Sequence, residues 1–446
     1  MKPDLKNALL KGTLVLTAAG IICRIIGFFF RIYITRLIGS EGIGIYQLIT
    51  PLASVVYAAC IGGVCTAISR FTAENTSSFS WMFSGIALSV PMSIICSVIF
   101  WKYADFISLR ILINPDCAFA VKMLSLSFPF ASLHSCIGAY FLGRKNVKIP
   151  AASQILEQII RIGTVVLTAF LFNKTGRSVS VSIILLGNLA GDAAATLYNM
   201  LFIISATKTS RHHSSKGSNM INLLDSMRRI TSYSAPLTLN RVLMQLLASG
   251  EAVLIPLQLI IYDMSQSQAV SIYGVLSGMA MPFISFPSTI TNSLAVMLLP
   301  EISAAWADKN HKKIASVIRL TIKLCLYLGL FFTVIFIILG SRLSIILFKN
   351  NTVGIFVSIL AWICPFQYLA VTLGSILNGL GKTTSTCIVN ITGILIRISF
   401  LIILTPRLGI TGYLYGLLCG QIVICIAHFL QLNHMFNIFQ RSSTRV

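Results

Sequence analysis

Long apolar runs separated by short polar breaks recur from one end of this chain to the other. A helix that crosses a hydrocarbon core about 30 Å thick needs roughly 20 apolar residues. Twelve runs meet that length, at about 9–34, 43–68, 80–101, 119–142, 150–172, 180–204, 233–259, 269–298, 314–340, 353–379, 384–405 and 409–434. Lipid offers the backbone no hydrogen-bond partner, so a spanning segment is a helix or a strand of a closed barrel. These runs are far too long for barrel strands. The pattern predicts an all-α polytopic membrane protein of about twelve transmembrane helices. The first run is long, carries Arg24 and Arg31 and has no small-residue cleavage site, so it reads as the first span rather than a signal peptide.

The most polar stretch, 205–230, divides the runs six and six. It predicts an N-terminal six-helix lobe at 1–204, a cytoplasmic linker at 205–230 and a C-terminal six-helix lobe at 231–446. The halves also resemble each other, as a search for internal duplication shows. A shift of 236 positions lays Pro129-Phe130 on Pro365-Phe366, Gly138 on Gly374, Gly143 on Gly379, and Ile160-Arg161-Ile162 on Ile396-Arg397-Ile398. With other offsets Ile45-Tyr46 meets Ile272-Tyr273, and Gly187, Leu189 and Gly191 meet Gly416, Leu418 and Gly420. Six spans per half is an even number, so both copies share one orientation. They are expected as pseudo-symmetric lobes around a central cavity, with the substrate site at their interface and access alternating as the lobes rock.

Composition agrees with lipid as the solvent. Of 446 residues, 56% are hydrophobic and only 10% charged, and mean hydropathy is +0.86, whereas soluble domains carry about 25% charged residues. The net charge of +22 would suit nucleic acid, but its placement argues otherwise. With the N-terminus inside, Lys and Arg are about twice as frequent in the segments predicted cytoplasmic, such as Arg144, Lys145, Lys312 and Lys313, as on the opposite side, which is the positive-inside pattern. The basic residues therefore report topology and contact with anionic lipid headgroups, and no nucleic-acid partner is expected. A bacterial inner-membrane protein with both termini cytoplasmic is the expected arrangement. The eleven cysteines are scattered without a CxxC pair. His212 and His213 sit in the polar linker, and no metal site or cofactor is expected.

Charges inside the runs carry the functional signal, since one at the bilayer centre costs about 2.5–3.5 kcal/mol even on lenient scales. Gly20, Arg24, Gly27 and Arg31 are spaced i, i+4, i+7, i+11 and form one helical stripe, with the two arginines about 10 Å apart in height. Two unneutralised cations on a glycine-lined face fit a hydrated cavity that receives an anion, and guanidinium suits phosphate because it forms a bidentate fork. Snorkelling toward the interface is the competing account, easier for Arg31 than for Arg24. The seventh run carries Asn240, Arg241 and Glu251. Arg241 and Glu251 are too far apart to pair directly, so Arg241 is expected to join the cationic cluster. Glu251 either binds a coupling cation or pairs with an arginine across the interface. Glu157 and Arg161 are spaced i, i+4 in the favourable order for a structural pair. Arg397 has Gly393 where that acid would be, which makes it the more suggestive of the repeat-related arginines. Asp192, beside Gly191, is expected to be a packing or hydrogen-bonding residue.

No P-loop, GxSxG, HExxH or DxD pair is present, so an enzyme is not expected. A membrane-embedded glycosyltransferase would need catalytic acids near the outer face, where the short segments offer only Glu41, Asp105, Asp116 and Asp263. The opening KGTLVLTAAGIICRIIGFFFRIYITRLIGSEGIGIYQLITPLAS, with its R-x-x-G-F-x-x-R pattern and R-L-x-G-x-x-G-x-G-x-Y turn, resembles the stage V sporulation protein B group. So do LNRVLMQLLASGEAVLIPLQL at 239–259 and TPRLGITGYLYGLLCG at 405–420. That group is a polysaccharide transport branch of the multidrug/oligosaccharidyl-lipid/polysaccharide exporter superfamily. The resemblance implies two six-helix lobes around a cavity and movement of lipid-linked cell-wall precursors in spore cortex formation. It also implies an undecaprenyl-pyrophosphate-type substrate, contact with membrane lipids, a coupling ion as a further partner, and cavity arginines at Arg24 and Arg31. Many relatives have fourteen spans rather than twelve. A multidrug or cation antiporter of the same superfamily is the alternative.

Overall fold

The computed structural model describes residues 3–74, 79–112, 114–115, 117–176, 180–210 and 219–436, with side chains from 18 to 205 and from 223 onward. His212 and His213 lie outside the described residues. No strand occurs among the described residues. Among the described residues, twelve helices are long and apolar enough to span a membrane: α1 (Ala18–Glu74), α2 (Ser80–Lys102), α3 (Cys117–Gly143), α4 (Lys148–Lys174), α5 (Val181–Ser205), α6 (Leu223–Ile261), α7 (Gln266–Ser285), α8 (Ser288–Ala307), α9 (His311–Phe348), α10 (Asn351–Gly379), α11 (Thr383–Leu408) and α12 (Ile410–Phe436).

The twelve helices do not correspond one to one with the twelve predicted spans. At 57 residues and 1.5 Å per residue, α1 would be about 85 Å long if straight. It is instead bent at Gly39, where φ is 73° and ψ −176°, so it supplies two crossings. In contrast, Phe286 and Pro287 keep right-handed helical backbone angles, so α7 and α8 form one bent rod over the single run predicted at 269–298. The number of crossings stays at twelve. The Gly39 conformation is open essentially to glycine alone and costs other residues about 1–3 kcal/mol. A Cβ there would meet nothing within 4 Å, so Gly39→Ala isolates the backbone effect. It is expected to destabilise the protein by that amount, read as a lowered thermal unfolding midpoint in detergent.

The chain packs as two compact units, Met1–Val253 and Leu254–Val446, divided within α6. Most of α6 thus belongs with the first unit, where Gly63 of α1 lies so close that a Cβ would come within 2.5 Å of the Ser234 carbonyl. Within each unit burial follows the logic of a lipid solvent. Large apolar side chains are exposed, among them Phe170 and Leu201 in the first unit and Tyr327 and Ile338 in the second, while Ser89, Ser93, Thr333 and Thr372 are buried. Helix contact in lipid depends on small residues that let backbones approach. Aromatic stacking fills the first unit between them, with Phe79 on the fully buried Tyr140 at 5.3 Å and Phe71 on Trp81 at 4.8 Å.

The duplication read from the sequence is present in the packing. In the first unit, a Cβ on Gly191 would lie 2.9 Å from the Glu157 carbonyl oxygen, and one on Gly187 2.9 Å from that of Arg161. In the second, a Cβ on Gly420 would lie 3.0 Å from the Gly393 carbonyl, and one on Gly416 3.4 Å from that of Arg397. The α4–α5 and α11–α12 crossings are therefore the same crossing, built twice. A hydrogen bond repeats with it: Asn199 Nδ2 donates to the His134 carbonyl at 3.1 Å, and His428 Nδ1 lies 3.3 Å from the Ala370 carbonyl.

Candidate functional site

The first unit encloses two cavities, of about 670 Å³ and about 820 Å³, whose shared walls include Gly62, His134, Glu157 and Arg241. Five helices contribute. The second arm of α1 brings Tyr46, Thr50 and Tyr57, α3 brings His134, α4 brings Glu157 and Arg161, α5 brings Asn188 and Asp192, and α6 brings Asn240 and Arg241. Polar groups cluster here because each is projected inward by a helix whose other faces are apolar.

Arg161 is held on its own helix, as the i, i+4 spacing predicts. Its Nη2 pairs with Glu157 Oε1 and its Nη1 donates to Gln158 Oε1 at 3.2 Å. Its buried Nε has no partner among the described residues, so one donor of the fork remains open. Arg241 is anchored differently. Residues Ala58–Gly62 form one turn of π-helix, a distortion that frees backbone groups and often marks functional positions. The Gly62 carbonyl accepts from Arg241 Nη1, and Thr66 Oγ1 lies 3.3 Å from Arg241 Nη2.

Behind the arginines stand the acids. His134 Nε2 lies 3.9 Å from Asp192 Oδ1, and ligand atoms of His134, Glu157 and Asp192 all fall within 4.8 Å of one another. Asp192 is only 7% exposed. Sequence spacing gave no sign of this group, because its members come from three helices. Asp192 on its own reads as a packing residue, and His134 carries no motif. The clue in the sequence was the glycine beside Asp192, which brings α5 against the Glu157 turn.

The seven candidate site residues Arg24, Arg31, Arg161, Asn240, Arg241, Glu251 and Arg397 separate into groups. Arg161, Arg241 and Asn240 come together in the first-unit cavities. Arg24 is exposed and Arg31 half-buried on the first arm of α1. Neither guanidinium has an ion-pair or hydrogen-bond partner among the described residues, and neither lines these two cavities. Their stripe runs beside α4, since Cys23 Sγ is 3.8 Å from the Gln154 carbonyl and a Cβ on Gly27 would lie 3.4 Å from Gln158 Nε2. Glu251 is buried at 6% exposure and has an interaction partner. Arg397 lies in the second unit with its aliphatic stem across Gly420, and it too has a partner.

Two helical units with lipid-facing apolar surface, the first holding a polar cavity lined by Arg161, Arg241, Glu157 and Asp192, define a polytopic membrane transporter. Residues 9–306 match the family described as polysaccharide biosynthesis protein, and the chain belongs to that family, within the multidrug/oligosaccharidyl-lipid/polysaccharide exporter superfamily. Residues 242–403 also match the MatE family. The chain is 26% identical over 432 residues to stage V sporulation protein B of Bacillus subtilis (strain 168), covering 95% of this chain and 83% of the relative. It is 21% identical to lipid II flippase MurJ of the same organism, covering 96% and 83%. Among solved structures, lipid II flippase MurJ in an inward closed conformation superimposes with a TM-score of 0.72 at 14% identity, covering 94% of this chain and 87% of that one. An inward-facing multidrug resistance MATE family transporter gives 0.66 at 14% identity, covering 97% and 100%. The chain is a multi-pass membrane flippase or transporter of this superfamily, not an enzyme.

Proposed function

We propose that the protein flips an anionic lipid-linked saccharide of the undecaprenyl-pyrophosphate type across the bacterial cytoplasmic membrane, by alternating access of its two halves. The observation that carries this reading is the pair Arg161 and Arg241 in a membrane-embedded cavity lined by hydroxyl and amide groups such as Thr50, Asn188 and Asn240. Guanidinium forks bind phosphate oxygens in bidentate fashion. Hydroxyls and amides satisfy sugar hydroxyls, which would be costly to bury unpaired. Arg24 and Arg31, both without acidic partners among the described residues, extend the cationic path along α1, and the lipid tail stays in the bilayer. The family match and the likeness to stage V sporulation protein B support a peptidoglycan or polysaccharide precursor as cargo and a role in spore cortex or cell-wall synthesis. The positive-inside distribution of Lys and Arg supports cytoplasmic N- and C-termini.

The test is a reconstituted-liposome flipping assay with lipid-linked precursors of defined composition. Arg24→Ala/Arg31→Ala is expected to abolish flipping while leaving protein abundance in the membrane unchanged. Full activity in that double variant would remove the first arm of α1 from the substrate path.

A multidrug or cation antiporter remains the second reading, favoured by one observation: Glu157 and Asp192 line the same cavity and would attract a cationic drug. Raised drug resistance in cells producing this chain, without flipping in liposomes, would establish it.

A further inference from the structure

The eleven cysteines form no paired motif in the sequence, yet folding brings four of them together in twos around the π turn of α1. Cys60 lies within that turn, and its thiol hydrogen-bonds with that of Cys96 on α2. Cys65, three residues beyond the turn, does the same with Cys136 on α3. All four are free thiols. The second pair sits on a tight crossing. A Cβ on Gly143 of α3 would come within 2.6 Å of the Ser69 carbonyl oxygen of α1. Cys65 precedes Ser69 by four residues and Cys136 precedes Gly143 by seven, so both thiols lie on the helix faces in contact. Cys136 belongs to the same buried cluster as Ala67 and Ile68, and Cys65 packs against it.

The second unit shows that such a crossing does not need two thiols. The shift of 236 that aligns the halves lays Cys136 on Thr372 and Ser89 on Cys325. Cys325 Sγ and Thr372 Oγ1 lie 3.4 Å apart, and in the first unit Cys136 lies beside Ser89. Each copy joins one thiol to one hydroxyl, with the two exchanged between the helices. With the offset that lays Tyr46 on Tyr273, Cys65 falls on Asn292, so the second thiol belongs to the first copy alone. Access then separates the two cysteine pairs. Cys65 lines the cavity of about 820 Å³ beside Thr66 and Arg241, and Cys136 is fully buried behind it. Neither Cys60 nor Cys96 lines either cavity. A small polar oxidant carried by water reaches Cys65 first, with its partner thiol already in contact. An accessible thiol poised beside a resolving one is the arrangement of reversible redox cysteines.

We propose that Cys65 and Cys136 form a reversible oxidation site, closed to a disulfide by a hydroperoxide that enters the larger cavity, and that the closed form is inactive in transport. With hydrogen peroxide, the deprotonated Cys65 sulfur attacks one oxygen and the O–O bond breaks. The departing hydroxide takes up the Cys65 proton and leaves as water. The Cys136 sulfur then attacks the Cys65 sulfenic acid, the S–S bond forms and the S–O bond breaks. That hydroxide leaves as a second water with the Cys136 proton. Two thiols lose two protons and two electrons, and one hydrogen peroxide becomes two waters. The sulfurs end about 2.05 Å apart, which draws the second arm of α1 onto α3. Gly62 and Thr66, the groups that anchor Arg241, lie within three residues of Cys65 and move with it. A bolted α1–α3 crossing and a displaced Arg241 oppose the rearrangement that transport requires. The effect on transport rests on the flippase reading, whereas the disulfide can be measured without it.

The experiment uses the full chain in liposomes, treated with hydrogen peroxide, quenched with an alkylating agent, digested and mapped by mass spectrometry. A cross-linked peptide joining Cys65 to Cys136 is expected, formed ahead of any Cys60–Cys96 link and reversed by dithiothreitol. In the same preparations, flipping of a lipid-linked precursor is expected to fall at least tenfold on oxidation and to recover on reduction. Cys136→Ser keeps a small polar group in the buried place and is expected to flip at the wild-type rate and to resist peroxide. Cys65→Ala is the second variant, and its residual flipping is likewise expected to resist peroxide. Cys60→Ser is expected to leave both the link and the inhibition as in wild type. A peptide map without the Cys65–Cys136 link overturns the site, whether the thiols are unreacted or Cys65 has passed on to a sulfinic acid. Inhibition that persists in both Cys136→Ser and Cys65→Ala overturns its control of transport, as does a link that leaves flipping unchanged. Absence of flipping in the reduced wild type counts against the flippase reading, and the peptide map alone then decides the site.

Discussion

Replacing Arg161 with alanine is expected to abolish flipping and to lower the thermal unfolding midpoint, and the two losses should be separable. The substitution leaves Glu157 without its ion-pair partner at a place where the side chains are only 25% and 19% exposed. Removing one member of a buried pair costs about 3–5 kcal/mol, because the survivor is an uncompensated charge. Partial exposure here puts the expected loss near the lower end, at about 3 kcal/mol. Glu157→Gln/Arg161→Ala should recover most of that stability, since a neutral amide carries no stranded charge, but should not recover flipping if the guanidinium handles an anion. Arg161→Lys preserves the ion pair and loses the bidentate fork, so it should be stable and still impaired. Thermal unfolding in detergent and flipping in liposomes, measured on the same preparations, check each point. A double variant that regains flipping would reduce Arg161 to a neutraliser of Glu157.

The fold was legible because lipid simplifies the code. With every backbone group satisfied within its own helix, length and hydropathy alone located the spans, the two arms of α1 and the single α7–α8 rod among them. The bend at Gly39 is a different matter. It follows a run of helix formers, and nothing in the hydropathy pattern marks which glycine of Gly39, Gly42 and Gly44 takes the positive φ. Charged residues inside spans were equally visible, and three of the seven candidates, Arg161, Arg241 and Asn240, do share a cavity. What the sequence hid was partnership across helices. The Glu157–Arg161 pair is local and was readable from spacing. Arg241 pairing with Gly62 depends on a π turn 179 positions away, and the approach of His134 to Asp192 depends on how closely α3, α4 and α5 pack. Glu251 and Arg397 look alike as lone intramembrane charges, yet both have partners that sequence spacing does not reveal.

That close packing is itself testable, and it should give the largest structural effect. Gly191→Leu is expected to lower the unfolding midpoint strongly and to scatter the His134, Glu157 and Asp192 group, because even the first carbon of the new side chain would sit 2.9 Å from the Glu157 carbonyl oxygen. That atom belongs to the helix backbone and cannot rotate aside, so α4 and α5 must separate. Overpacking of this kind costs about 1–3 kcal/mol and occasionally more, and the added loss of small-residue helix contact in lipid places this case at the upper end. Gly420→Leu meets the Gly393 carbonyl at 3.0 Å and the Arg397 stem at 2.9 Å, and should destabilise by a similar amount. It differs in consequence, however, because Gly393 and Gln421 stand at that crossing where the first unit has Glu157 and Asp192. Flipping in liposomes should therefore fall further in Gly191→Leu than in Gly420→Leu at temperatures where both remain folded. Gly163→Ala, where a Cβ meets nothing within 4 Å, should be neutral or slightly stabilising through helix propensity, worth up to about 1 kcal/mol. Equal loss of flipping in both leucine variants would show that transport responds to general loosening rather than to the residues held at the α4–α5 crossing.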